Sequence, residues 1–224
     1  MPDHIDILRA GERLVALPDK ALWWPSRQAL LIADAHLGKA AAFRSQGIPV
    51  PAGTTGLTLA RLESLLTQLP VRELFVLGDF LHARASRTPA VLQALSDWRA
   101  RWPDLHCVLV RGNHDSHAGD PPAELGVHAV DEPWAVGPFD LWHIPPRLEQ
   151  VPPERYALAG HVHPAYVLQG GRRERLRLPC FDFGPAIGVL PAFGEFTGGF
   201  VVPARPGHTI CLAADHQIFA VPPR

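Results

Sequence analysis

The sequence predicts an α/β protein whose helices fall in the first half and whose second half is built from short strands. Two observations lead there. In the first half, short apolar runs alternate with segments whose apolar positions recur at helical spacing. Beyond about residue 125 that alternation stops, and strand-like pieces are separated by Pro and Gly, as in DEPWAVGPFDLW and VLQGGRRERLRLPCF.

Residues 5–8, 14–17 and 29–32 read as the first three strands. In TTGLTLARLESLLTQL the positions Leu62, Leu65, Leu66 and Leu69 follow i, i+3, i+4, i+7, which predicts a helix that Thr54 or Thr55 caps and Pro70 ends. A strand follows at 73–77. The segment TPAVLQALSDWRARW predicts a second helix, with Pro89 in its first turn and a stop before Pro103. Strands are expected again at 105–110, 141–144 and 156–159. Strand and helix in alternation imply parallel α/β units.

A chain of 224 residues suits one domain spanning 1–224, and 47% hydrophobic residues are enough for a core. With 21 basic against 22 acidic side chains, no global basic field points to nucleic acid, although a local groove can be basic on a neutral protein. Cys107, Cys180 and Cys211 lie far apart without C-x-x-C spacing. That argues against a zinc knuckle or a disulfide framework and for a reducing compartment, each thiol being a small buried hydrophobe. The segment MPDHIDILRA lacks the apolar stretch of a secretory signal, and no apolar run approaches the ~20 residues of a membrane span. A soluble, cytoplasmic protein without membrane association is expected.

Five strands are expected to end in metal-ligand chemistry. Residues 29–33 run into Asp34-Ala35-His36, and 73–77 into Gly78-Asp79. Residues 105–110 run through Arg111 into Gly112-Asn113-His114-Asp115, 141–142 lead to His143, and 156–159 lead to Gly160-His161-Val162-His163. In open α/β sheets, sites are built at that carboxyl edge. Asp, His and an Asn carbonyl make a mixed O/N donor set without thiolate, suited to manganese, iron, zinc or a related divalent ion. On extended chain, the flanking side chains of D-x-H and H-x-H would point the same way, with Ala35 and Val162 turned aside. The donors exceed what one ion takes; two ions bridged by one carboxylate would use them all. Asp34 or Asp79 alone would read as a turn residue, but not both in step with the histidines.

In chain order, D-x-H, G-D-x-x-[DH], G-N-H-[DE], a later lone His and G-H-x-H resemble the calcineurin-like metallophosphoesterase superfamily, from Asp34 to His163. HLGKAAAFRSQGIPVPAGTT, RGNHDSHAGDPP, GHVHP and LPCFDFGPAIGVLPAFGEFTGG look like its branch of bacterial ligase-associated DNA damage response endonucleases. The resemblance implies a four-layer α-β-β-α sandwich of two facing mixed sheets with metals at one edge. It implies Asp34, His36 and His163 on one metal, Asn113, His143 and His161 on the other, and Asp79 bridging both. His114 would be the catalytic histidine that contacts the phosphate and protonates the leaving oxygen.

Many members carry Asp three residues after the bridging Asp, where it orients that histidine; here the position is His82. An imidazole can orient another by hydrogen bond but cannot stabilise an imidazolium as a carboxylate does. The implied activity is phosphodiester hydrolysis with two divalent ions, Mn2+ first and Fe2+ or Zn2+ as alternatives. The implied setting is DNA repair beside a DNA ligase and a helicase. A phosphodiesterase for cyclic or other small nucleotides and a non-catalytic metal-binding scaffold are the competing readings.

Lys39, Arg44, Arg84 and Arg111 lie near the metal motifs in sequence and are candidates to meet phosphate oxygens, although a lone cation is more often a solvated charge. Arg172, Arg173, Arg175 and Arg177 around Gly170-Gly171 suggest a charged hairpin edge, with phosphate contact the rarer use. Phe193 and Phe196 in LPAFGEFTGGF are expected to pack in a β layer rather than stack on bases. A buried structural imidazole competes with the metal role at His143. Asp115 either closes a turn or braces His114. His106, His117, His128 and His208 lack motif partners, so surface or structural roles are expected.

Overall fold

The computed structural model describes residues 3–170 and 174–222. Strands β1 (Ile5–Arg9), β2 (Glu12–Ala16), β3 (Leu22–Trp24) and β4 (Ala29–Ala33) form an antiparallel meander. Strands β5 (Glu73–Leu77), β6 (His106–Val110) and β7 (Val127–Val130) then join in parallel, giving a seven-stranded sheet in chain order. The middle strands are apolar at nearly every position because both faces are covered. Leu30, Ile32, Leu74, Val76, Cys107 and Leu109 face the helices, whereas Leu31, Phe75, Leu77, Val108 and Val110 face the second sheet. On the helix side they meet Leu62, Leu65 and Leu66 of one long helix and Leu95 and Trp98 of another.

The second sheet holds β8 (Trp134–Val136), β9 (Phe139–Leu141), β10 (Tyr156–Ala159), β11 (Pro164–Gln169), β12 (Arg175–Phe183), β13 (Ile187–Val189) and β14 (Phe200–Val201). Their order is β14-β11-β12-β13-β10-β9-β8, with β15 (Thr209–Ala214) on β12 and β16 (Gln217–Ala220) on β15. Phe139, Phe181 and Phe183 are fully buried between the sheets, each contributing ~1.5–3 kcal/mol by burial. The expected pair of facing mixed sheets is therefore present. Its outer layers differ: the described α-helices all precede residue 119, so they cover the first sheet alone. Over the second sheet, Val202, Ala204 and Val221 pack on Tyr166, Cys180, Ile210 and Leu212 without a helix. Frequent Pro and Gly after residue 125 leave no stretch long enough for one.

The four α-helices are α1 (Lys39–Ser45), α2 (Thr54–Gln68), α3 (Pro89–Arg101) and α4 (Asn113–Ala118). α2 and α3 are the two periodic segments; α1 and α4 are too short to show a period. Thr88 caps α3 by accepting from Val91 N at 3.3 Å. α2 departs from expectation, since Gly53 at φ 86 holds the cap position. Thr55 Oγ1 instead accepts from Gly38 N at 3.0 Å, tying the helix start to the chain after His36. The strand expected at 141–144 ends at Leu141, because His143 N and Ile144 N donate to Glu132 Oε2 at 2.6 and 2.9 Å rather than to a neighbouring strand. Arg172 and Arg173 lie outside the described residues, and Arg175 and Arg177 sit exposed on β12.

Register brings the strand ends level. Ala33 pairs with Leu77, Leu77 with Val110, and in the other sheet Leu158 with Leu141. Residues 190–194 join the two edges, with Leu190 N donating to Ala159 O at 2.8 Å and Phe193 N to Ala33 O at 2.7 Å.

The turn between β2 and β3 leaves Lys20 half-buried at φ 64, and among the described residues its ammonium has no hydrogen bond or ion pair. Burial, and then Arg61, pull its pKa down to about 7 against the pull of Asp19. Between that value and the ordinary 10.5 the folded chain binds fewer protons than the unfolded one, so stability rises with pH across this window. Lys20→Met is therefore expected to stabilise the fold by about 1–3 kcal/mol below pH 7, with the gain gone above pH ~10.5. Urea unfolding at pH 6 and at pH 10.5 checks this.

Candidate metal centre

The ligand-type residues at the strand ends do not lie on extended chain. Asp34, His36, Asp79, His161 and His163 have φ of 52, 43, 51, 67 and 50°, all left-handed. This corrects the expectation drawn from strand alternation: the flanking residues of D-x-H and H-x-H each adopt a conformation costing ~1–2 kcal/mol. Neighbouring chain holds them there. Asp34 N donates to Gly78 O at 3.2 Å and His36 N to Asp79 O at 2.7 Å. The carboxylates brace the other loops, Asp79 Oδ1 accepting from His114 N at 2.9 Å and Asp34 Oδ2 from His161 N at 2.8 Å.

Three donor groups result: two contain a carboxylate, and the third is the histidine trio His36, His82 and His114. In the first, Asp34, His36 and His163 present ligand atoms within 4.8 Å of one another. His36 Nε2 lies 3.3 Å from His163 Nε2, and Asp34 Oδ1 lies 3.5 Å from His163 Nε2. In the second, Asp79, His143 and His161 do the same. His143 Nε2 lies 2.9 Å from Asn113 Oδ1, 3.1 Å from His161 Nδ1 and 3.6 Å from Asp79 Oδ1. The Asp79 carboxylate faces both sets, its Oδ2 being 3.7 Å from His36 Nε2. Backbone carbonyls fix two rings: His143 Nδ1 donates to Leu77 O at 3.2 Å and His163 Nδ1 to Gly198 O at 3.2 Å. Each bond leaves Nε2 free to ligate.

His143, the lone histidine without a local motif, is 1% exposed and central. Two glycines make room for it. A Cβ on Gly78 would collide with the His143 ring, and one on Gly112 would collide with Asp79 Oδ1. A Cβ on Gly160 would meet Leu77 O at 2.7 Å and Asp34 Oδ2 at 2.8 Å. The three strand-end glycines are the sequence signal that something approaches the backbone closely there.

His114 and His82 also differ from expectation. His114 Nδ1 donates to the backbone carbonyl of His82 at 2.6 Å, not to its imidazole. The two rings stack, with centroids 4.7 Å apart, and His82 Nδ1 lies 3.4 Å from His36 Nδ1. Asp or His at position 82 would leave that carbonyl in place. Asp115, 2% exposed, accepts from Gly112 N at 2.9 Å and Phe80 N at 3.0 Å. It therefore ties the chain after β5 to the chain after β6.

The residues fit a divalent cation. Asp34 and Asp79 are buried at 0% and 1%, and among the described residues neither pairs with a lysine or arginine. Asp34 Oδ1 is buried without a hydrogen-bond partner, a costly state that a cation would relieve. Burial, with nearby Lys39 and histidines, depresses His36 to about 2, and burial also depresses His161. Neutral imidazoles are the form that binds metal. His163 is raised: burial lowers it, but the neighbouring Asp34 carboxylate and the Gly198 carbonyl outweigh that.

The four cations singled out by sequence separate in space. Lys39 is half-buried within the field of Asp79 and Asp34, its ammonium 5.9 Å from the Phe43 ring. Arg44 donates to Pro51 O at 3.1 Å and borders a hollow between α1, α2 and α3. Arg84 is exposed. Arg111 is matched by Asp120 at 2.8 and 2.9 Å and by Asp131 at 2.8 Å. Phe193 is fully buried, as expected, whereas Phe196 is 44% exposed. His208 finds a carboxylate, Asp182 Oδ1, at 2.6 Å.

Two facing sheets with histidine and aspartate sets gathered at their shared edge define a metal-dependent phosphoesterase. The chain is similar to the solved nuclease MPE of Pseudomonas putida, at 46% identity over 98% of this chain and 100% of that one, with a TM-score of 0.85. It belongs to the metallophosphoesterase-type nuclease family. A looser likeness is to YfcE, a phosphoesterase from E. coli, at 16% identity and TM-score 0.40 over 86% of this chain and 97% of that one. No protein-family model and no curated protein matches the chain. No described helix is long and apolar enough to cross a membrane.

Proposed function

We propose that the protein is a divalent-metal-dependent nuclease that hydrolyses phosphodiester bonds at a two-ion centre. Asp34, His36 and His163 would hold one ion, Asn113, His143 and His161 the other, and Asp79 would serve both. The observation that carries this is the buried carboxylate oxygen of Asp34, without a hydrogen-bond partner and facing the rings of His143 and His163. The ions supply Lewis-acid charge for the phosphoryl group and lower the pKa of water. The chain supplies the rest. Lys39, half-buried on the same side, would meet a phosphate oxygen. The His82 carbonyl accepts from His114 Nδ1 and so orients the ring with Nε2 directed away from that bond; protonated on both nitrogens, the ring would deliver the Nε2 proton to the leaving oxygen and return to the Nδ1–H form that the carbonyl holds. Manganese as the native ion, and DNA repair beside a ligase and helicase as the setting, complete the reading. The 46% identity to a nuclease supports the polymer substrate over a cyclic or small nucleotide.

Metal-stripped protein is expected to regain bis(p-nitrophenyl) phosphate turnover on manganese titration, and Asn113→Ala/His161→Ala to stay inactive. His114→Gln should slow a diester with an alkoxide leaving group ~10²-fold or more and the p-nitrophenyl diester much less, since the latter leaving group needs no proton. Equal losses on both substrates would remove the acid role, and no turnover with any divalent metal would favour a scaffold.

A further inference from the structure

The chain has two lysines, Lys20 and Lys39, and the fold treats them in opposite ways. Lys39 is kept as a cation: Asp79 and Asp34 pull against the lowering that burial causes, and its ammonium lies 5.9 Å from the Phe43 ring. Lys20 stands in the β2–β3 turn, half-buried at φ 64, and among the described residues its side chain has no hydrogen bond or ion pair. The charges around it do not hold a proton there. Burial and then Arg61 lower its pKa to about 7 against the pull of Asp19. Glu195, the acid that lines the same cleft, is taken by Arg61, and the cleft's other ionisable walls are Arg177 and His163.

That lysine is retained at a cost, since its left-handed backbone is strained for a side chain and methionine in its place is expected to stabilise the fold. A phosphate contact does not account for it. An amine half deprotonated near neutral pH is a poor anchor for an anion and a good nucleophile toward a carbonyl. Its cleft, of about 290 Å³, is shared with His163 of the metal centre and Arg177 of β12. Arg177 is exposed and has no side-chain partner among the described residues, which leaves its guanidinium open to a phosphate. A ligand that satisfies all three walls must carry a phosphodiester for the metal centre and the arginine, and a carbonyl for the amine. The carbonyls of intact bases are amides and form no imine. A nucleotide that has lost its base has an aldehyde, C1′ of its ring-opened sugar, between two phosphates. The cleft is at the small end of ligand sites (~300–1,000 Å³), which suits a sugar phosphate.

We propose that Lys20 is a covalent nucleophile that captures the C1′ aldehyde of a base-less nucleotide as an imine, with an adjoining phosphate on Arg177 and the strand continuing into the metal centre. This rests on the phosphodiester reading of the metal centre and adds the lesion beside which it acts. The neutral amine adds its lone pair to C1′, forming the C–N bond while the carbonyl π electrons pass to oxygen. A proton moves from nitrogen to that oxygen, and the carbinolamine loses water to leave the imine. Water reverses both steps and frees the strand, so no oxidant or reductant is consumed.

The test incubates an oligonucleotide holding one base-less site with manganese-loaded full-length protein, in a His114→Gln background that keeps the strand intact. Cyanoborohydride then reduces any imine to a stable amine. A covalent adduct is expected on a denaturing gel, and peptide mapping is expected to place it on Lys20 and not on Lys39. Lys20→Gln and Lys20→Arg should each lower the adduct yield at least ~20-fold, because arginine keeps the charge but cannot form the imine. Lys20→Gln should not lower the melting temperature, so its loss of adduct is not a loss of fold. Arg177→Gln should slow trapping ~10-fold at low salt. The same strand with tetrahydrofuran at the site, which has the phosphates but no aldehyde, should give no adduct. An adduct mapped elsewhere, an undiminished yield in Lys20→Arg, or no adduct in the parent protein would each overturn the assignment. Bis(p-nitrophenyl) phosphate turnover is measured in parallel in the wild-type chain. Turnover without adduct removes the role of Lys20 and leaves the metal centre standing; adduct on Lys20 without turnover does the reverse.

Discussion

Asp79→Asn is expected to lower phosphodiester turnover at least ~10³-fold, about 4 kcal/mol of barrier, while raising the melting temperature of the chelator-treated protein. The two effects have one cause. Asp79 is 1% exposed, and its oxygens face His143 at 3.6 Å and His36 at 3.7 Å, one from each donor set. With metal bound, that carboxylate would be the anion both sets share. With metal stripped, its buried oxygens face ring nitrogens and no lysine or arginine, a cost of ~1–3 kcal/mol after relaxation. Asparagine keeps an acceptor for His114 N and removes the charge. Chelation should therefore lower the melting temperature of the wild type clearly and that of the variant little. Calorimetry with and without chelator reads both; a variant that melts with the same metal dependence as the parent would show that Asp79 is not a ligand.

Gly78→Ala should cost about 2–5 kcal/mol of stability and weaken metal binding ~10-fold or more, although a single methyl is added. Gly78 has φ 78, and the methyl would enter the His143 ring, which is 1% exposed and cannot swing into solvent. Gly11→Ala is the control, because Gly11 has nearly the same φ, 77, and open space around it. It should lose only the conformational cost of ~1–2 kcal/mol. Urea unfolding and manganese titration of both variants separate crowding from backbone strain. Equal losses in the two would mean that His143 does not press on Gly78.

Much of the scaffold was legible because burial on both faces writes itself into composition: 29–33, 73–77 and 106–110 are apolar at nearly every position, and α2 repeats leucine at helical spacing. The outer cover of the second sheet was not, since Val202, Ala204 and Val221 come from irregular chain without periodicity. The site was legible as donor types at strand ends, and the structure gathers Asp34, His36, Asp79, Asn113, His143, His161 and His163 there. Their backbone was not legible, because nothing local in D-x-H demands φ above zero; the bonds that enforce it come from the chain just after β5 and from residues 190–194. The orienting partner of His114 was sought among side chains, and a main-chain carbonyl leaves no trace in sequence. Arg111 looked available because its partners, Asp120 and Asp131, are nine and twenty residues away. Phe196 was expected to be buried like Phe193, three residues before it; a loop pinned by α2 turned it outward.

Each carboxylate-bearing donor set draws on both layers. Asp34, His36, Asp79 and Asn113 follow strands of the first sheet, and His143, His161 and His163 follow strands of the second. Neither sheet alone completes either carboxylate-bearing set, and a slip in how the layers dock would scatter those donors. Metal capture would thus work as a proofreading step on tertiary structure: only chains whose halves have met correctly would gain its stabilisation, and misdocked ones would be left to unfold and try again.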